Sequence, residues 1–282
     1  TQIKMAEEAG KLLPELKVVA AAPEAYDPKK QAEYIDAAIA AKATAIIFTL
    51  SIPETLDPVL RKAHAAGIKL ICINIEDYRE PPEKLPYITY IGMDERISGT
   101  ILAENLYAMF KEKLGRYPKR AVIGIHQPGL ICLEMRADGI LGVSKKYGVP
   151  NEKVDVTMDP TKVYETIKAY ITTHPDTEAI FTLGPCGSHP VEKLIGDLGK
   201  AGVIFHGCID LSPEVISAIE KGITQVAISQ QPGAQAFYSV YVTYAYLKYG
   251  IIPPELIPTG PTVVTLKNLD VIKKQIETTG GA

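Results

Sequence analysis

The sequence lacks the features that would assign it to a membrane or to nucleic acid. It has no apolar run of the roughly 18 residues that a membrane span requires. It has no block of lysine and arginine, and its net charge of −3 with a pI near 6.0 predicts no nucleic-acid partner. The N-terminal stretch TQIKMAEEAGKLLPEL is amphipathic and has no signal-peptide core, so the sequence itself specifies no location.

Cysteine is scarce, and its four residues are widely spaced. None of them forms a CxxC pair, so we expect no zinc or other metal site. Cys72 and Cys208 lie in apolar strand-like runs, which predicts small buried side chains. Cys132 and Cys186 lie near predicted strand ends. The sequence is compatible either with a disulfide between them or with two free thiols.

Motifs for nucleotide binding and for covalent catalysis are absent as well. The sequence has no GxGxxG after a strand, no GxxxxGK[ST] and no GxSxG, and nothing in it resembles a nucleophile–base pair. We therefore expect no cofactor and no enzymatic activity, although a doubly wound fold by itself excludes neither.

What the sequence does contain is a regular alternation of helix and strand patterns over a length suited to one large or two medium domains. Strands are predicted at 16–21, 44–50, 68–74, 87–92, 121–125, 153–158, 177–183, 203–208, 225–229 and 262–266. Helices are predicted at 1–14, 28–42, 54–66, 95–115, after 126–129, at 160–173, 187–200, 213–221 and 233–249, and at the C-terminus. This order predicts an α/β fold with doubly wound parallel sheets.

A weak internal repeat divides the chain. ATAIIFTLSIP (43–53) resembles TEAIFTLGPCG (177–187), and the strands that follow end at Ile73-Asn74 and Ile209-Asp210. Two such units predict two similar domains that face each other across a cleft. A doubly wound domain normally begins with its central strand, whereas this chain begins with a helix pattern. We therefore expect the first domain to lack that strand.

Four polar residues lie where predicted strands end, or one helical turn beyond: Asn74, Arg136, Asp210 and Gln230. In open α/β sheets, ligands bind at the carboxyl ends of the strands. Amide, guanidinium and carboxylate groups can each make paired hydrogen bonds, which suits the vicinal hydroxyls of a sugar or polyol. Together the four predict a binding cleft.

Each of these residues also has a plainer interpretation. Asp210 could cap the helix that follows it. Gln230 could bond to loop backbone, and Arg136 could pair with Glu134 or Asp138 on an exposed helix face. For Glu134, a solvated helix face is the simpler explanation, although it stays a candidate for ligand contact.

Other side chains are predicted to be structural. His126 and His206 follow or end strands, but without a second ligand at metal spacing a hydrogen-bonded structural histidine is the simpler explanation for each. A tyrosine tract on one predicted helix indicates packing or an interface. Its members are Tyr238, Tyr241, Tyr244 and Tyr246.

Six segments, in this order and spacing, resemble the substrate-binding proteins of bacterial sugar ABC transporters. They are AAGIKLICIN, YIGMDERISGTILAENL, LEMRADGI, HPDTEAIFTLG, CIDLSPEVISAIEKG and AISQQP. The resemblance is to the ribose-binding-like group of type I periplasmic binding proteins, and it extends over essentially the whole chain.

The resemblance implies two α/β lobes, 1–92 plus 232–258 and 93–231 plus 259–282, joined by a three-crossing hinge. It implies ligand contacts at Asn74, Arg136, Asp210 and Gln230, with His126, Glu134 and Gly184 as further candidates. The sequence departs from the family at two positions. At 74–75 the family often has aspartate followed by arginine, whereas this chain has Asn74 followed by Ile75. Gly184 stands where ribose binders typically carry asparagine. These departures favour another sugar or a polyol over ribose.

The function implied is binding of a monosaccharide or polyol in the cleft, closure by hinge motion, and delivery to the membrane permease of an ABC importer. The resemblance further implies a monomer in the periplasm or outside the cell, with lipid anchoring before processing as an option. Two rivals remain open: the effector-binding core of a sugar-responsive repressor and an enzyme on a doubly wound fold.

Overall fold

A computed structural model of the chain describes residues 1–24 and 27–279. Within them the predicted α/β alternation is confirmed. The helices are α1 Gln2–Leu12, α2 Pro28–Ala40, α3 Pro53–Ala65, α4 Glu95–Leu114, α5 Ile131–Lys146, α6 Pro160–Thr173, α7 Pro185–Asp197, α8 Pro213–Glu220, α9 Pro232–Tyr249 and α10 Leu269–Thr279. The strands are β1 Ala45–Phe48, β2 Lys69–Ile73, β3 Tyr90–Gly92, β4 Arg120–Ile125, β5 Asn151–Asp155, β6 Thr177–Thr182, β7 Phe205–Ile209, β8 Thr224–Ser229, β9 Leu256–Pro258 and β10 Thr262–Val264.

The chain forms two compact units. The first consists mainly of Thr1–Met93 and Gln231–Thr259, and the second mainly of Asp94–Gln230 and Gly260–Thr278. Each unit contains one sheet of its own. Among the described residues, no helix combines the length and the apolar character needed to cross a membrane.

The first unit contains a parallel sheet in the order β1-β2-β3-β9. Its strands are rich in isoleucine because a parallel sheet is covered on both faces. One face packs against α2 and α3 through side chains that include Leu56, Leu60 and Leu70, all at most 1% exposed. Ile71 and Ile91 on the other face pack with Val242 of α9. Each such buried aliphatic side chain stabilises the fold by about 1.5–3 kcal/mol.

The strand predicted at 16–21 is wrong, since the structure has no strand there. The second unit shows the physical reason. There, β5 forms its hydrogen bonds with β4. Strand β4 also pairs with β6, which corresponds to β1 in the internal repeat. In the described part of the first unit, β1 pairs only with β2 and no counterpart of β4 is present, so the β-branched run at 16–21 has no ladder to join.

The second unit contains a sheet in the order β10-β8-β7-β6-β4-β5. All its pairs are parallel except β10 with β8, which is antiparallel, so the predicted parallel sheet carries one antiparallel edge strand that the sequence does not indicate. The sequence also gave no sign of β9, because the proline-rich segment around it looks like a simple crossing. The order of β8, β7, β6 and β4 brings four carboxyl ends to one sheet edge.

Local signals for helix ends are confirmed. The Asp94 carboxylate caps α4 by accepting the N–H of Ile97 at 2.8 Å. Gly67 follows α3 with φ of +82°, a conformation that favours glycine. The cysteines agree with the sequence where it made a prediction: Cys72 and Cys208 are buried. For Cys132 and Cys186, where a disulfide and free thiols were both possible, the structure shows free thiols.

Helices α4 and α5 approach each other at two glycines. A Cβ on Gly99 would lie 1.9 Å from the carbonyl oxygen of Arg136, and one on Gly139 would lie 2.2 Å from the carbonyl oxygen of Arg96. No side chain fits at either place, so backbone meets backbone. This contact fixes the start of α4 against the first turns of α5.

We predict that Gly139→Ala lowers the free energy of unfolding by about 1–3 kcal/mol, the usual cost of overpacking. The matched control is Gly142→Ala in the same helix, where a Cβ meets nothing within 4 Å. Replacing an exposed helical glycine by alanine should raise stability by about 0.5–1 kcal/mol. Urea denaturation of both variants is the measurement, and equal effects would contradict the close contact.

Candidate functional site

The two units make the same backbone turn at the repeat positions that the sequence identified. Asp210 follows β7 with φ of +73°, and Asn74 follows β2 with φ of +66°. In each case the turn residue donates its N–H to the neighbouring strand, Asp210 to Ile228 at 2.8 Å and Asn74 to Ile91 at 3.3 Å. Asparagine and aspartate tolerate this left-handed conformation better than other side chains do. Both side chains are thereby placed at the carboxyl edge of their sheets.

In the second unit, Arg136 is only 6% exposed, and three hydrogen bonds hold its guanidinium. Its Nε and one Nη donate to the two carboxylate oxygens of Glu95 at 2.5 and 3.0 Å. Its other Nη donates to the carbonyl oxygen of Leu183 at 2.8 Å. The bidentate fork is the strongest geometry available to an arginine–carboxylate pair.

The alternative partners considered for Arg136 are engaged elsewhere. Glu134 accepts from the Gly129 N–H at 2.9 Å and from Lys153 at 2.5 Å. Asp138 pairs with Arg96 at 3.0 Å. The interpretation of Arg136 as part of an exposed surface ion pair is therefore wrong. The interpretation of Glu134 as a residue of a solvated helix face is supported.

Glu95 is the residue of this cluster that the sequence did not reveal. It is 1% exposed, and burial raises the pKa of its carboxyl group while the guanidinium of Arg136 opposes that rise. In the sequence it directly follows the helix cap Asp94, where an acidic residue is explained by the helix dipole alone. The close contact between α4 and α5 brings it to Arg136.

Asp210 extends the cluster towards solvent. Its carboxylate accepts from the Gln230 side-chain amide at 2.6 Å and lies 3.9 Å from an Nη of Arg136, with the side chain 26% exposed. The capping function considered for Asp210 belongs instead to Ser212, whose Oγ accepts the N–H of Val215 at 3.1 Å. The structure therefore brings Arg136, Asp210 and Gln230 together.

His126 and Gly184 lie side by side near this cluster. A Cβ on Gly184 would lie 3.0 Å from Cε1 of His126, so the imidazole occupies space that a larger residue at position 184 would need. Burial, followed by the charge of Arg136, lowers the pKa of His126. Among the residues that the structure describes, its buried Nδ1 has no hydrogen-bond partner. The expectation of a fully hydrogen-bonded histidine is therefore wrong here.

Asn74 lies in the first unit, whereas the other six candidates lie in the second. Its side-chain amide donates to Gln235 of α9 at 3.3 Å, and its carbonyl oxygen accepts from the hydroxyl of Tyr90 at 2.8 Å. The tyrosine tract of α9 also belongs to the first unit: Tyr241 packs on Phe237 with ring centroids 5.1 Å apart. The hydrogen bonds from Asn74 to Gln235 and from Tyr90 to Asn74 fix the turn that carries Asn74.

Comparison with known proteins places the chain in a family. The family model described as periplasmic binding protein domain matches residues 1–251. The chain belongs to the periplasmic binding protein family. No curated protein matches.

Solved structures similar to this periplasmic binding protein come from several bacteria. An ABC sugar transporter protein, a periplasmic sugar binding protein, from Legionella pneumophila is 26% identical over 92% of this chain and 93% of that chain, with a TM-score of 0.79. An ABC transporter solute binding protein from Agrobacterium vitis, bound with alpha-D-tagatopyranose, is 25% identical over 95% and 90%, with a TM-score of 0.80. A sugar-binding protein of a Bacillus halodurans sugar ABC transporter, 20% identical over 96% and 93% with a TM-score of 0.82, shares the fold.

The second unit of this periplasmic binding protein also contains a buried polar network around His206. His206, at 0% exposure, bonds to the hydroxyls of Thr182 at 2.9 Å and Thr224 at 2.8 Å, so its predicted structural role is confirmed. Thr224 donates to Glu192 at 2.8 Å. Burial lowers the pKa of His206 to about 3, so its approach to Glu192 is not an ion pair.

We predict a pH-dependent stability that Glu192→Gln removes. Burial raises the pKa of Glu192 from 4.5 to about 7, so the folded protein holds a proton that the unfolded chain releases. The resulting stability is present below pH 4.5 and is lost as pH rises through about 7. Relative to wild type, the glutamine variant should therefore gain up to about 3 kcal/mol across this window.

Urea denaturation at a series of pH values is the measurement. Glu165→Gln, an exposed change on the adjacent helix α6, is the control and should track wild type. A stability difference between Glu192→Gln and wild type that stays constant from pH 4 to pH 8 would show that Glu192 is already ionised in the folded protein.

Proposed function

We propose that this periplasmic binding protein binds a monosaccharide or polyol through Arg136, Asp210 and Gln230, and delivers it to the membrane permease of an ABC importer. The observation that carries the proposal is the cluster itself: a fixed guanidinium, a partly exposed carboxylate and an amide meet at one sheet edge. The sugar-binding relatives at 25–26% identity support the ligand class.

The chemistry of the cluster suits hydroxyl groups. A sugar hydroxyl both donates and accepts, so one hydroxyl can donate to the Asp210 carboxylate while its oxygen accepts from Arg136 or Gln230. His126 stays a further candidate for ligand contact, although its Nδ1 is buried in the structure. Because His126 fills the space beside Gly184, we propose a ligand other than ribose, in agreement with the sequence departures.

The two units are proposed to act as lobes, with boundaries at 1–92 plus 232–258 and at 93–231 plus 259–282. Asn74 would contact the ligand from the first lobe and the Arg136 cluster from the second. A ligand that touches both lobes stabilises their closed arrangement through its higher affinity for that arrangement. Hinge closure about the three crossings would then signal occupancy to the permease.

The remaining elements of the proposal concern location and partners. The protein would act as a monomer in the periplasm or outside the cell, and would bind its ligand without turnover. Lipid anchoring before processing and a ligand contact by Glu134 stay predictions. Recovery of chemically unchanged sugar after incubation would distinguish this binder from an enzyme.

We predict that Asp210→Ala weakens binding of the best ligand by about 2–5 kcal/mol, because the Arg136 cluster loses its acceptor for sugar hydroxyls. A thermal-shift screen of D-arabinose, D-tagatose, D-ribose, D-galactose and myo-inositol identifies that ligand, and calorimetry measures the loss. Asp197→Asn, a change in an exposed ion pair with Lys193, is the control. Affinity of Asp210→Ala within about threefold of wild type, less than 1 kcal/mol, would move the binding site elsewhere.

A further inference from the structure

We propose that Glu95 sets the charge class of the ligand: by neutralising Arg136 it makes the site select uncharged sugars and polyols and reject sugar acids and sugar phosphates. The inference rests on the proposed function, which it deepens. Glu95 would act as a specificity-determining residue that does not itself touch the ligand.

The first step is the hydrogen-bond inventory of Arg136. A guanidinium has five N–H donors. Two of them are used by Glu95 and one by the carbonyl oxygen of Leu183, which leaves one donor on each Nη. These suffice for the oxygen of a sugar hydroxyl. A carboxylate ligand could accept from the same two donors, but it would meet a guanidinium whose charge Glu95 already neutralises through the bidentate pair.

The second step is the charge balance around the guanidinium. Arg136 is the one cation of the cluster, and it faces the carboxylates of Glu95 and Asp210. His126 adds no positive charge, since burial and the guanidinium lower its pKa. The nearby thiol of Cys132 is neutral as well, because burial raises its pKa. An anionic ligand would therefore meet an excess of negative charge, which is an effective way to exclude one class of ligand.

The third step is that Glu95 cannot leave this position. Its side chain is 1% exposed, and the start of α4 is fixed against α5 by the contacts at Gly99 and Gly139. Asp210, in contrast, is 26% exposed and can turn towards a ligand or water. The neutralising charge on Arg136 is therefore a permanent part of the site, present with or without a ligand.

The test compares matched neutral and acidic ligands on wild type and on Glu95→Gln. The pairs are D-galactose with D-galacturonate, D-arabinose with D-arabinonate, and D-glucose with D-glucose 6-phosphate, measured by calorimetry at pH 7.5. Glutamine keeps the shape, and its one carbonyl oxygen can still accept from Arg136, so the variant removes the charge and one of the two hydrogen bonds. Glu104→Gln, which removes a carboxylate from an exposed ion pair on the same helix, is the matched control.

We expect wild type and Glu104→Gln to bind the neutral member of at least one pair and to reject its acid. Glu95→Gln should shift the acid-to-neutral affinity ratio towards the acid by at least about tenfold, as expected when one nearby charge is removed at an effective dielectric near 20. Loss of neutral-sugar affinity alone, without a change in that ratio, would show a merely structural role and overturn the inference.

Two further outcomes separate this inference from the proposed function. If wild type binds an acid at least as tightly as its neutral partner, Glu95 does not exclude anions, while sugar binding itself stands. If wild type binds neither member of any pair and no sugar of the wider screen, the proposed function fails and the inference fails with it. An acid that wild type binds as tightly as its neutral partner contradicts the inference even if Glu95→Gln does not fold.

Discussion

The buried ion pair between Glu95 and Arg136 is the interaction on which the arrangement of the second unit depends. Taking two charges out of water is costly, and the attraction between them compensates only when the geometry is good and other hydrogen bonds complete it. Here the fork is bidentate, and the Leu183 carbonyl oxygen takes a further N–H. The pair is thus satisfied before any ligand arrives.

The pair exists because helices α4 and α5 meet at glycine. Gly99 and Gly139 permit backbone-to-backbone contact, and this contact places the first residue of α4 against the guanidinium on α5. Arg136 in turn bonds to the loop after β6 and lies near the turn after β7. One close helix contact thereby positions polar groups from three successive parts of the sheet edge.

The apolar periodicity and the residues typical of helix ends and turns predict most of the helices and strands, because these elements depend on residues close in sequence. Asp94 and Gly67 mark helix ends through interactions with their own neighbours. The strand predicted at 16–21 is wrong because strand formation depends on a distant partner: a β-branched run becomes a strand only where a neighbouring strand can pair with it. The antiparallel direction of β10 and the existence of β9 likewise depend on distant pairing.

The candidate site is predictable to a similar extent. The sequence singles out Arg136, Asp210 and Gln230 because polar residues at the ends of apolar strands are a local signal, and the structure brings these three side chains together. Glu95 was missed because an acidic residue after a helix cap has an ordinary explanation, and its partner lies 41 positions away. The role of Ser212 as the helix cap, two residues beyond Asp210, could be resolved only by geometry.

The central claim is that a sugar or polyol binds at the Arg136–Asp210 cluster of the second unit. A crystal structure of the protein saturated with the tightest ligand of the screen tests it most directly. The account predicts ligand hydroxyls within about 3.2 Å of the Asp210 carboxylate and of an Nη of Arg136, with the Glu95–Arg136 fork unchanged. A ligand held without contact to either residue, for example in the surface groove lined by Arg96, Asp138 and Lys146, would contradict it.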